Sequence, residues 1–126
     1  QFPELGEPWQ VQKVYYHHGW SYERIVAIDA AMTRHGLESP YKERLANWQV
    51  DPAHDQRVTT RVPCSEFFEV RDQALLAHAT QIDPDGFWFA VPREVQAGAW
   101  PTEDYELVKS IVQTSVPEDD LFAGLR

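Results

Sequence analysis

The sequence predicts an α/β layered fold, and three observations carry the prediction. Strand-like segments recur at Gln10–His18, Arg57–Pro63 and Glu103–Val112, where aromatic and β-branched residues crowd or alternate. Between them lie segments with helical spacing that open on a serine. Turns rich in Pro, Gly and Asp separate the two kinds of segment. Strands interleaved with helices point to layers rather than to a bundle or a sandwich. In 126 residues, 43% of them hydrophobic, there is room for one domain with a modest core.

The elements follow in order. Gln10–His18 (QVQKVYYHH) lies between Pro8 and Gly19 and reads as a strand. Ser21 caps a helix running to about His35, with Glu23 in its first turn, Gly36 as its stop and an apolar stripe of Ile25, Ile28 and Met32. Ser39-Pro40 opens a second helix that places Tyr41, Leu45 and Trp48 on one face. Asp51–Gln56 reads as a polar loop, and Arg57–Pro63 as a strand with Val58, Thr60 and Val62 on one side. Ser65 then caps a long helix to Ile82, which Asp83-Pro84-Asp85-Gly86 ends in a tight turn. Phe87–Val91 is a short apolar run stopped by Pro92, Arg93–Pro101 carries only a weak pattern, and Glu103–Val112 fits a strand or a helix by period, with the loose alternation of Tyr105, Leu107 and Lys109 favouring a strand.

Charge and composition exclude several functions. A net charge of −9 opposes binding to a phosphate backbone or an anionic membrane surface. No apolar run approaches the roughly 20 residues of a membrane span. The single cysteine, Cys64, has no partner for an internal disulfide, which suits a reducing, cytoplasmic compartment, and it reads as a small packing residue.

The most informative stretch is AHATQIDPDGF, Ala77–Phe87. On a helical wheel from Ser65 to Ile82, His78 falls in the middle of the apolar half and Gln81 beside it. A polar pair turned inward needs partners. Either His78 bonds a backbone carbonyl and Gln81 ties down the turn, or the two line a pocket and bind a substrate hydroxyl or amide. Arg71 shares that face and could pair with Asp83, Asp85 or an anionic ligand. In α/β layered sheets, ligands sit beyond the carboxyl ends of the strands, which places His17, His18 and Trp20 near any cleft. His17 and His18 are adjacent and point apart in a strand, no other histidines share a helical spacing, and a metal site built from this chain alone is not expected. His35 suits a helix C-terminus, His54 reads as solvated in its loop, Asp83 and Asp85 as turn-forming, and Glu118-Asp119-Asp120 as a solvated charge cluster.

Several segments together resemble the C-terminal half of the mycothiol S-conjugate amidase branch of the LmbE-like, GlcNAc-PI de-N-acetylase zinc hydrolases. They are FPELGEPWQVQKVYY at Phe2–Tyr16, HGLESPY at His35–Tyr41, Val58–Pro92 with its HATQIDPDGF, and WPTEDYELVKS with PEDDLFAG near the end. The resemblance implies the C-terminal part of a Rossmann-like three-layer sheet. It also implies a zinc cofactor whose His-Pro-Asp-Asp-Glu and His-Pro-Asp-His ligand motifs do not occur here. Residues 1–126 would then be one portion of a single domain, opening on Gln1 as the continuation of something longer, with the N-terminal half of the enzyme as partner. On that reading the chain holds neither metal ligands nor catalytic acid and base, and supplies one wall of the pocket. Gln81 matches a family position that contacts substrate, with His78 beside it. The implied reaction is hydrolysis of the amide in a thiol–sugar conjugate. Deacetylation of the related N-acetyl sugar, or the activity of a biosynthetic relative on a mycothiol-linked metabolite, is the alternative within enzymes, and a non-catalytic binding module the alternative outside them.

Overall fold

The computed structural model describes residues 3–126; Gln1 and Phe2, where the resemblance begins, lie outside the described residues. A 3-10 turn at Pro3–Leu5 precedes strand β1, Lys13–His17. Helix α1 (Tyr22–Arg34) follows, then two short helices, α2 (Lys42–Ala46) and α3 (Pro52–Gln56). Strand β2 (Thr60–Pro63) leads through a 3-10 turn at Ser65–Phe67 into α4, Phe68–Leu76. A further 3-10 turn at Phe87–Phe89, helix α5 (Arg93–Ala99) and strand β3 (Thr102–Ser110) complete the order.

Helix α1 is the anchor, and its sequence explains it. Ser21 is extended and its Oγ accepts from the Arg24 N–H at 3.2 Å, while Gly36 stops the helix with φ of +68°. Ile25, Ile28 and Met32 are buried to within 2% of full enclosure and join Ala31, Tyr41, Val91 and Val95 in one core. Each such aliphatic side chain contributes about 1.5–3 kcal/mol by burial, against about 1 kcal/mol for the cap. Packing therefore holds α1 in place more than its ends do, and α5 is the helix it packs against.

Among the described residues the strands form one three-stranded sheet in the order β1-β3-β2, antiparallel throughout. The mixed helix and strand class is as expected. Alternation along the chain fixes neither strand direction nor sheet order. The nine-residue β3 comes last yet lies in the middle, where Tyr105 pairs with His17 on one side and Thr60 on the other.

Three local expectations also change. The helix expected to reach Ile82 ends at Leu76, because Ala77 and Ala79 are exposed and bury nothing that would hold another turn. Asp51–Gln56 is not a loop: Asp51 Oδ1 accepts from the Ala53 N–H at 3.0 Å and Pro52 takes the first position of α3. Arg93–Pro101 contains α5, whose Val95 joins the core.

In the acidic tail Glu118 is the largest reversal, while Asp119 is exposed as read. The 118 position returns across the outer edge of β2, with Arg61 N–H donating to Glu118 O and Glu118 N–H to Thr59 O, both at 2.9 Å. Its carboxylate is buried, not solvated. It accepts from Lys13 Nζ at 2.7 Å, Tyr15 Oη at 2.6 Å, Thr60 Oγ1 at 2.9 Å and the Thr114 hydroxyl. Burial pushes this carboxyl up, but the Lys13, Thr114, Tyr15 and Thr60 donors outweigh it and hold its pKa at about 2.

Candidate functional site

Strand β1 ends at His17, and His18, Gly19 and Trp20 carry the chain into the Ser21 cap. As the strand alternation required, His17 is exposed and His18 buried. His17 Nε2 lies 3.2 Å from Glu103 Oε2, and the His18 N–H donates to Asp104 O at 2.7 Å. The His18 ring packs on His54 with centroids 4.5 Å apart, and its Nδ1 is buried without a hydrogen-bond partner among the described residues. His54 is thus half-buried against β1 rather than solvated, because α3 folds its loop back onto the strand end.

Two clefts meet at this turn, sharing His17, Gly19 and Trp20. The first, about 940 Å³, runs between Trp20, helix α2 and its following loop, and α3. Across it the Arg44 guanidinium lies 4.8 Å from the Trp20 ring centroid and 5.1 Å from that of Trp48. The second, about 490 Å³, has an apolar wall of Ile25, Ile28, Tyr41, Leu75, Phe87, Trp88 and Val91. Phe87 stacks on Trp20 at 5.7 Å, which extends the wall to the turn.

The polar side of the second cleft is an ionic network. Arg24 Nη1 donates to Glu103 Oε2 at 2.9 Å, and Arg71 reaches Glu103 Oε1 at 3.4 Å, Gln96 Oε1 at 3.0 Å and Asp72 Oδ1 at 2.8 Å. Arg93 Nε closes on Asp72 Oδ2 at 2.9 Å. Burial raises both carboxyls, yet the Arg24 and His17 contacts at Glu103 and the Arg93 and Arg71 contacts at Asp72 hold them below the usual range. Near neutral pH both stay ionised, so they orient donors and do not deliver protons. Of the partners open to Arg71, Asp83, Asp85 or an anionic ligand, the structure shows neither aspartate; it turns toward Asp72 and toward β3, where Glu103 is already half-buried and gains more from a cation than an exposed turn does.

Comparison with known proteins ties this arrangement to a relative. The chain is 54% identical over 123 residues, 98% of its length, to a mycothiol S-conjugate amidase of Streptomyces coelicolor. This chain is similar to such amidases over nearly all of its residues. It is also 35% identical over 98% of its length to a 1D-myo-inositol 2-acetamido-2-deoxy-alpha-D-glucopyranoside deacetylase of Streptomyces avermitilis, and equally to deacetylase 1 of that name in Frankia alni. It spans 42% of the amidase and 42% and 44% of the two deacetylases, less than half of each. No protein-family model and no solved structure matches it.

The amidase resemblance singled out Gln81 and His78, and the structure places both at the exposed turn after α4, not on an inward helical face. His78 Nδ1 lies 2.8 Å from Ala74 O, which puts the ring proton on Nδ1, and the Gln81 N–H donates to His78 O at 2.8 Å. Among the described residues the Gln81 side chain makes no hydrogen bond. Asp83 shapes its turn as read, accepting from the Asp85 N–H at 3.0 Å. Burial raises the Cys64 thiol, in keeping with a packing role. Sequence reasoning missed the Arg44 contact, although Trp48 four residues on is the helical spacing that brings a guanidinium to an indole.

Proposed function

We propose that this chain is the C-terminal portion of one LmbE-like zinc hydrolase domain, Rossmann-like when whole, that hydrolyses the amide bond of mycothiol S-conjugates in the cytoplasm. The products are a mercapturic acid and glucosaminyl-inositol. The observation that carries the reading is 54% identity across 98% of the chain, against 35% to the deacetylases. Those relatives keep deacetylation of N-acetylglucosaminyl-inositol as the second reading.

Zinc is implied by the resemblance, and its chemistry when bound is to acidify a water. Among the described residues no three His, Cys, Asp or Glu side chains are arranged to hold an ion, so this stretch does not fit a zinc site by itself. The ligands, the acid and the base belong to the N-terminal portion, which is the partner of this chain. What these residues contribute is binding and orientation. Gln81 offers both a donor and an acceptor to a substrate hydroxyl or amide, and His78, tied to the last turn of α4, orients it. His78 N–H donates to Leu75 O at 3.0 Å, and Leu75 lines the apolar cleft, which suits the S-substituent. Neither a nucleic acid nor a membrane enters this reading.

The test is made on the complete enzyme, by comparing kcat/KM for a mycothiol S-conjugate with that for N-acetylglucosaminyl-inositol. Dominant hydrolysis of the S-conjugate supports the amidase; the reverse ratio moves the chain to the deacetylases. Hydrolysis of neither would leave a non-catalytic module.

A further inference from the structure

Of the three residues that line both clefts, His17 alone has a titratable side chain; Gly19 has none, and Trp20 packs on Arg44 and Phe87. Three contacts fix the His17 ring. Its Nε2 lies 3.2 Å from Glu103 Oε2, and its plane leans on Tyr105 with centroids 5.3 Å apart. Its Cε1 edge passes over Gly19, where a Cβ would stand 3.3 Å away. The side chain is nevertheless 56% exposed, open to the place where the clefts join.

The Glu103 contact sets the tautomer. Arg24 and Arg71 keep that carboxylate ionised, and an ionised carboxylate only accepts. The proton of the neutral ring therefore sits on Nε2, and Nδ1 is left as a bare acceptor. Among the described residues nothing donates to Nδ1. An acceptor held in one orientation at the junction of two clefts suits a ligand that spans both and carries an N–H where it crosses the turn. An oxygen without a proton at that point would set lone pair against lone pair.

We propose that His17 Nδ1 accepts the N–H of the scissile amide, which makes His17 the residue that selects amides over esters. The inference rests on the hydrolase reading above, in which the amide joins the two ends of the substrate and so crosses the turn between the clefts. His17 is here a substrate contact; the zinc ligands, the acid and the base stay with the N-terminal portion. A site built to bond an N–H discriminates against the analogue that lacks it, and an exposed acceptor does so more weakly than a buried one.

The test uses the complete enzyme with two substrates. One is the amide it hydrolyses faster, the mycothiol S-conjugate or the N-acetyl sugar; the other is the ester isologue, with oxygen in place of the amide nitrogen. In His17→Ala, kcat/KM for the amide should fall about tenfold while that for the ester moves less than about twofold. His17→Gln puts a donor where Nε2 stands and so keeps the tie to Glu103 without an acceptor at Nδ1; it should lose as much as His17→Ala. His17→Asn puts an oxygen where Nδ1 stands and should lose only about threefold. Lys109→Ala on β3 should leave both substrates unchanged. A structural role for His17 would instead spare His17→Gln and lower amide and ester together. Equal losses on the two substrates, or an undiminished amide rate in His17→Gln, would overturn the proposal and leave the hydrolase reading standing. An enzyme that hydrolyses neither amide overturns that reading and this inference with it.

Discussion

One polar cluster gathers on Lys13 and Tyr15 of strand β1, another lines the cleft at the strand's end, and they differ in how fully they are spent. Around Glu118, four donors converge on one carboxylate that is 6% exposed, and the Lys13 side chain that balances its charge is 3% exposed. Around Arg44, the cleft residues Glu43 and Gln49 find no described partner and face solvent. Buried polar groups must be satisfied within the fold, whereas exposed ones in a concave site can wait for a ligand. The closed cluster is therefore structural, and the open cleft is where recognition belongs.

The largest effect that could break this contrast is at the closed cluster. Glu118→Ala leaves the Lys13 charge buried without its counter-ion, with Ala123 O as its remaining acceptor at 2.8 Å, takes the carboxylate away from Tyr15 and Thr60, and should cost about 3–5 kcal/mol. Urea unfolding followed by far-ultraviolet circular dichroism measures it. A midpoint equal to that of the parent chain would place Glu118 with the solvated charges.

Acid should undo the same cluster. The folded pKa of Glu118 is depressed to about 2 from an ordinary 4.5, so the unfolded chain takes up this proton first as pH falls. The stabilisation is complete above about pH 4.5 and is lost on descending through pH 2, up to roughly 3 kcal/mol. Urea midpoints recorded from pH 6 downward should fall more steeply in the parent chain than in Glu118→Gln. Equal slopes would mean that other carboxylates carry the acid sensitivity.

How much of this was readable in the sequence depended on the range of the interactions involved. Helix α1 was legible because its Ser21 cap, its Ile25, Ile28 and Met32 stripe and its Gly36 stop are all local. Glu118 was not, because nothing near it in the chain announces Lys13, 105 residues away, or the return across β2. Strand order was not legible for the same reason: β3 is placed by pairing with segments read long before it. The α4 boundary failed differently. A wheel assumes one continuous helix, and the alanines after Leu76 keep its period without burying enough to sustain it. His17, His18 and Trp20, read as lying beyond the carboxyl end of the first strand, do line the clefts.

The smallest expected effect sharpens the comparison at Gln81. Its side chain is exposed and joins no described hydrogen bond, so the turn after α4 rests on backbone bonds and on Asp83. Gln81→Ala should then change unfolding free energy by less than about 0.5 kcal/mol. If Gln81 contacts substrate, the same variant in the complete enzyme should lower kcat/KM about tenfold or more with zinc content unchanged. A stability loss with intact kinetics would make it a turn anchor, although its own side chain joins no hydrogen bond among the described residues. Intact stability with reduced turnover would instead set Gln81 beside Arg44 and Gln49, polar groups left unspent by the fold and open to a ligand.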